Sequence, residues 1–186
     1  MRVLIVTQYF YPENFKSNDM AFELKKRGFD VDVLVGIPNY PEGKYYDGYG
    51  IFKKRFEILN GVRVFRAFQF PRGKKSGFRI SLNYLSFALS ASVWAFFLAI
   101  FYRYHCVIVH EPSPITQGFP AVVVKKIQKI PLYFWVLDIW PDAMKSGGSI
   151  NNKTILSSVD KIVKFMYNNS DKILISSKGF KKKYIN

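Results

Sequence analysis

Residues 2–36 read "RVLIVTQYFYPENFKSNDMAFELKKRGFDVDVLVG", and the order of patterns within them decides the fold. "RVLIVTQ" at 2–8 is a short β-branched run without alternation, as expected of a strand buried on both faces. After a polar loop, "SNDMAFELKKRG" sets Met20, Phe22 and Leu24 ahead of late basic residues and Gly28, the pattern of a helix that glycine ends. "DVDVLVG" at 30–36 is a second strand. A strand, a helix and a strand within the first 36 residues imply a crossover between parallel neighbours.

The same alternation continues. "GVRVFRAF" (61–68), "CVIVHE" (106–111), "PLYFWVLD" (131–138) and "KILIS" (172–176) read as further strands, with helices expected at about 79–104, 116–129 and 153–169. The fold class expected is α/β, a Rossmann-like doubly wound parallel sheet. The closing "SSKGFKKKYIN" reads as a helix just beginning, from which one half of a larger protein is expected.

Composition narrows the function classes. The 186 residues suit one domain with a full-sized core, and 49% hydrophobic against 22% charged residues argues for a globular chain. Aromatic residues reach 18%, a share that suits a surface meeting something apolar or sugar-like. Lys and Arg exceed Asp and Glu by 28 − 13 = 15, which points to an anionic partner. Cys106 is the only cysteine, so no internal disulfide forms and a reducing, cytoplasmic setting is expected. The initial "MRVLIVTQYF" carries no Ala-x-Ala-like cleavage site, so no signal peptide is expected.

Ligands of open parallel sheets bind at the carboxyl ends of the strands. Four loops belong on that rim: "TQYFYPENFK" (7–16), "VGIPNYPEGKYYDGY" (35–49), "HEPSPIT" (110–116) and "DIWPDAM" (138–144). They carry Asn14, Lys16, Asn39, Tyr40, Glu42, His110, Glu111, Ser113, Asp138, Trp140 and Asp142. Flat rings, amides and carboxylates together suit a carbohydrate, since rings stack on C–H faces and side chains hydrogen-bond hydroxyls. Plainer readings stand beside these: a rigid turn for "PNYPEG", a core role for His110, a cap for Asp138 and a packing corner for Trp140–Pro141.

Other chemistries lack their motifs. No G-x-G-x-x-G follows the first strand and no G-x-x-x-x-G-K-[ST] occurs, which disfavours dinucleotide and P-loop chemistry. Two histidines and one cysteine offer no metal cluster, and no metal is expected.

Residues 80–102, "ISLNYLSFALSASVWAFFLAIFY", hold no charge and include Trp94 and Phe97. Their serines and Asn83 make a poor membrane span, and the segment sits where a crossover helix belongs. Residues 51–81 hold nine basic residues, Lys53, Lys54, Arg55, Arg63, Arg66, Arg72, Lys74, Lys75 and Arg79, against Glu57 alone. A basic belt beside an apolar helix is the pattern of docking on an anionic membrane surface. The alternative is a core helix buried against a partner domain. Nucleic acid is not expected, because the charge adjoins an apolar helix instead of exposed interleaved aromatics.

The run "GIPNYPEGKYYDGY", "GVRVFRAF", "LNYLSFALS", "EPSPI" and "VLDIWPDAM" resembles the amino-terminal half of family-4 glycosyltransferases, with the likeness running from Arg2 to about Phe180. It is most similar to bacterial O-antigen and capsule enzymes of the L-fucosamine transferase type. The resemblance implies a GT-B architecture, with this chain as the amino-terminal acceptor-binding domain and a carboxyl-terminal domain holding a nucleotide-sugar donor. It implies retaining transfer without an essential metal, no cofactor in this domain, and a saccharide on a polyprenyl diphosphate as acceptor at the inner face of the bacterial plasma membrane. Asp138 and Glu111 then stand near the reacting hydroxyl as base or orienting group. Leu137 stands where many members carry histidine, and the loop "YPENFKSND" lacks the glycines that approach the donor diphosphate, leaving Lys16 to supply charge. By the same resemblance this half alone binds but does not catalyse. The other expectation weighed is a non-catalytic module for membrane lipid or nucleic acid.

Overall fold

The computed structural model describes residues 1–73, 76–142 and 152–176. Lys74, Lys75 and the helix expected at the carboxyl end lie outside the described residues.

A seven-stranded sheet forms the centre. Its strands are β1 (Arg2–Val6), β2 (Asp30–Gly36), β3 (Phe56–Leu59), β4 (Val62–Ala67), β5 (Cys106–Glu111), β6 (Leu132–Val136) and β7 (Lys172–Ile175), in the order β3-β4-β2-β1-β5-β6-β7. All neighbours are parallel except β3 and β4. The sequence reading missed β3. It is an antiparallel edge strand joined to β4 by Asn60 and Gly61, both at positive φ (49° and 78°), as a two-residue hairpin of the Asn-Gly kind requires.

Helix α1 (Lys16–Lys26) packs on one face and α2 (Gly77–Phe101), α3 (Phe119–Gln128) and α4 (Lys153–Asn168) belong to the other, so the sheet is doubly wound as expected. The period of two divides each central strand between two cores. Val3 and Ile5 join Val31, Val33, Val62, Val64 and Ala21 of α1. Leu4 and Val6 join Leu34, Phe65, Val107 and Val109 beneath α2 and α3. The caps are local. Ser76 Oγ accepts from the Arg79 amide at the start of α2, and Asn152 Oδ1 accepts from the Thr154 and Ile155 amides at the start of α4.

Two residues of the basic belt are consumed inside the fold. Arg63 makes a bidentate pair with buried Asp32 (2.7 and 2.5 Å), whose second oxygen also accepts from the Tyr104 hydroxyl at 2.8 Å. Arg66, fully buried, donates to Glu57 and to the Tyr11 carbonyl.

The chain leaves β1 toward β2 on one side and reaches β5 on the other. The switch in strand order therefore falls between the carboxyl ends of β1 and β5, where open α/β sheets form their binding crevice.

Candidate functional site at the carboxyl ends of β1 and β5

Residues 7–16 follow β1, 37–55 follow β2, 68–76 follow β4, 112–114 follow β5 and 137–142 follow β6. The first three of these share a dense set of bonds. Glu13 turns inward from the β1 loop, and its Oε1 accepts the amides of Asn39 (2.8 Å) and Tyr40 (2.7 Å). The carboxylate is buried and its Oε2 has no hydrogen-bond partner among the described residues. Burial, only partly offset by the Tyr40 and Asn39 amides, pushes its pKa up to about 7.

Beneath the rim runs a second layer of amides. Gln8 Nε2 donates to Gln69 Oε1 and to Asn83 Oδ1, both at 2.8 Å. Gln69 Nε2 donates to the Ile37 carbonyl, and Asn83 Nδ2 to the Phe70 carbonyl. Asn39 Nδ2 also donates to Ile37, while Asn39 Oδ1 accepts the Arg72 amide at 3.1 Å. The Gln8 amide in turn donates to Gln117 Oε1 at 2.8 Å. Gly36 is required here, because a Cβ at that position would collide with the Gln69 side chain. Asn83 belongs to α2, so the polar stripe on that helix secures the loops.

One wall of the rim is aromatic. Tyr9 stacks on Phe15 (4.8 Å between centroids), and Tyr40 tilts against both at 5.6 and 5.7 Å. Arg72 reaches over the Tyr40 ring at 5.3 Å and donates to the Tyr84 hydroxyl at 3.0 Å. Of the loop's tyrosines, Tyr40 faces solvent. Tyr45 and Tyr46 instead donate their hydroxyls to the Gln69 and Tyr40 carbonyls. Tyr49 lies under the Arg66 guanidinium at 4.8 Å. Most rings of "VGIPNYPEGKYYDGY" thus brace the loop, and Tyr40 is the one offered outward.

The other wall is ionisable. His110 is buried with its ring edge against Trp135 (5.1 Å) and Nδ1 3.4 Å from the Thr7 hydroxyl. Burial lowers its pKa to about 4. Glu111 ends β5 with its carboxylate fully buried near the backbone amides of Leu137 and Asp138. Burial first, then the Asp138 charge, hold its pKa well above the usual carboxylate range. Asp138 is half-buried and its pKa is raised by burial.

The placement of the remaining candidates differs from the sequence reading in several ways. Asn14, Lys16 and Glu42 are exposed on the rim, and Ser113 is half-buried there. Asn39, His110 and Glu111 lie beneath it, fully buried, and so act on a rim ligand only through neighbours in this structure. Trp140 packs on the core and, with Asp142, lines a cavity of about 530 Å³ against α4 that includes neither Asp138 nor Glu111. Arg72, assigned to the membrane belt, is drawn into the aromatic wall instead. Trp94, expected at the same surface, turns inward onto Phe65 at 6.0 Å, whereas Phe97 is exposed. Lys53, Lys54 and Arg79 are exposed, and Arg55 is half-buried with its Nε donating to the Arg66 carbonyl. Gln8, Glu13 and Gln69 are site residues that the sequence did not single out, since buried amides and acids carry no spacing signature, and Arg72 was singled out only for the membrane belt. Among the described residues no cluster of three His, Cys, Asp or Glu side chains is placed to hold a metal.

No family model matches the chain, and no curated protein matches it in sequence. Among solved structures it is similar to sucrose-phosphate synthase from Thermosynechococcus elongatus, with a TM-score of 0.60 at 10% identity. The match covers 100% of this chain and 45% of that one, so the chain spans under half the length of the protein it resembles. At this identity the likeness establishes the fold: a Rossmann-like α/β domain of the kind found in GT-B glycosyltransferases.

Proposed function

We propose that the chain is the acceptor-binding half of a retaining glycosyltransferase, which moves a sugar from a nucleotide-sugar donor to a lipid-linked saccharide in surface-polysaccharide assembly. One observation carries the reading. At the point where the strand order switches, an aromatic wall that offers Tyr40 to solvent over Phe15 and buried Tyr9, and an acid wall (Glu111, Asp138), border the same carboxyl edge of the sheet. Sugars need both, a ring for the C–H face and acceptors for hydroxyls. The full-length likeness to 45% of a sugar-transferring synthase agrees with a domain that works opposite a second one.

In this reading Tyr40 stacks on an acceptor ring, with Asn14, Lys16, Glu42 and Ser113 nearby on the rim. Asp138 is the group that meets the reacting hydroxyl. Glu111, fully buried and electrostatically coupled to Asp138, is a positioning residue whose burial disfavours a second negative charge beside Asp138. The donor, a nucleotide sugar, is held by a separate domain, and the acceptor's carrier is a polyprenyl diphosphate at the cytoplasmic face of the plasma membrane. The L-fucosamine transferase type of O-antigen and capsule enzyme remains the specific assignment proposed.

Transfer by the enzyme containing this chain and its donor domain tests the role of Asp138. Asp138→Asn is expected to lower kcat more than tenfold with KM for the acceptor little changed. A wild-type rate would remove Asp138 from the mechanism.

A further inference from the structure

Helix α2 inverts the usual arrangement of large and small side chains. Its inward face is built mainly of alanines, Ala88, Ala91, Ala95 and Ala99, with Phe87 and Leu98, all buried against the sheet and α3. Its outward face carries Phe78, Leu85, Leu89, Val93, Phe96, Phe97 and Ile100, all exposed, with Leu89 at 72% and Phe78 at 78%. At 100° per residue these seven fall within an arc of about 120°, so they form one continuous stripe. Their exposed surface is on the order of 900 Å², above the roughly 300–600 Å² of the largest apolar patch on an ordinary monomer.

The charge around the stripe has one sign. Arg79 is exposed in the first turn of α2 and Arg103 is exposed just beyond its end. No acidic residue occurs between Glu57 and Glu111, and the chain carries a net charge of +15. A second copy of so basic a face would meet like charge at both ends of the helix, and a soluble acidic partner would leave the seven apolar side chains unmatched. An anionic bilayer matches both features. Crossing the bilayer is ruled out by the packing, since α2 connects β4 to β5 of one sheet and buries its alanine face in the core.

We infer that α2 lies in the interface of an anionic membrane, with the stripe Leu85, Leu89, Val93, Phe96, Phe97 and Ile100 sunk among the acyl chains and Arg79 and Arg103 at the headgroups. The inference rests on the face and its charge, and it holds whether or not the rim binds a sugar. Its consequence for the rim is mechanical. Polar residues of the same helix, mostly between the stripe and the alanine face, hold the loops, through Asn83 to Gln8 and the Phe70 carbonyl, Tyr84 to Arg72, and Ser86 to the Phe70 amide. A docked α2 therefore holds the crevice at a fixed height above the lipid surface.

Vesicle flotation of the whole chain tests this. With phosphatidylcholine vesicles containing about a third phosphatidylglycerol, the chain is expected to float at low salt and largely to detach at high salt. A variant with Leu89→Ser and Phe97→Ser is expected to float at least about tenfold less while still melting cooperatively, because Leu89 is 72% and Phe97 49% exposed. Absence of flotation, or flotation unchanged in the variant, overturns the inference. So does equal flotation with pure phosphatidylcholine, which removes the anionic preference. A concentration-dependent dimer that the variant abolishes, without flotation, assigns the stripe to a second copy instead.

Discussion

Glu13 Oε1 lies 2.7 Å from the Tyr40 amide nitrogen, a contact that fastens the loop after β1 to the loop after β2 with a buried carboxylate. The same oxygen accepts the Asn39 amide, so one acid orients the only outward-facing ring of the aromatic wall.

That relationship gives stability a pH dependence with a definite sign. Glu13 titrates near 7 when folded, against an ordinary value of 4.5. The folded chain therefore holds more protons than the unfolded one between these values, and stability falls as pH rises through that window. Glu13→Gln keeps the acceptor oxygen and removes the ionisation. Relative to this variant, the wild type is expected to lose up to about 3 kcal/mol between pH 4.5 and pH 7. Urea melts of both proteins across this range measure it, and parallel profiles would contradict it.

His110 acts in the opposite direction. Its folded pKa of about 4 lies below the ordinary 6.5, so the unfolded chain binds the proton first and stability falls as pH drops from 6.5 toward 4. His110→Gln is expected to flatten the acid side of the profile. An unchanged acid limb would mean that the histidine is solvated when folded.

Removing one amide should loosen the rim from beneath. Asn83→Ala leaves the Phe70 carbonyl and Gln8 Nε2 short of a partner in a buried network. The expected loss is about 2–3 kcal/mol, accompanied by faster amide exchange at residues 37–40 and 70–72. Loss of stability without that local exchange would place the role of Asn83 in packing alone.

At the opposite edge of the sheet, Arg63→Met strands Asp32, a buried carboxylate that keeps only the Tyr104 hydroxyl. A loss of about 3–5 kcal/mol is expected at neutral pH. The double variant with Asp32→Asn should recover much of it, and failure to recover would show that the two residues act independently.

Much of this architecture was legible in the chain because buried parallel strands write themselves as β-branched runs. "RVLIV", "DVDVLVG" and "CVIVHE" all fell where strands form. β3 was missed because "FEIL" is short and half-exposed, although Asn60-Gly61 after it is the usual signal of a tight hairpin. The rim loops were legible from their position after strands. What each side chain does within them was not. Asn39, His110 and Glu111 have polar identities that suggest a surface, yet the loops fold over them and leave all three buried. Arg72 shows the same limit: in a run of basic residues nothing in the spacing marks the one that turns toward tyrosine rings.

The central claim, an acceptor site at the carboxyl edge of the sheet, is tested most directly by NMR titration of the isotope-labelled chain. One arm uses a short-chain prenyl-diphosphate saccharide and the other a nucleotide sugar. The expected result is saturable shifts at Tyr40, Glu42, Ser113 and Asp138 with the lipid-linked saccharide and little response to the nucleotide sugar. Saturable shifts from the nucleotide sugar alone, or none at these residues with either ligand, would contradict it.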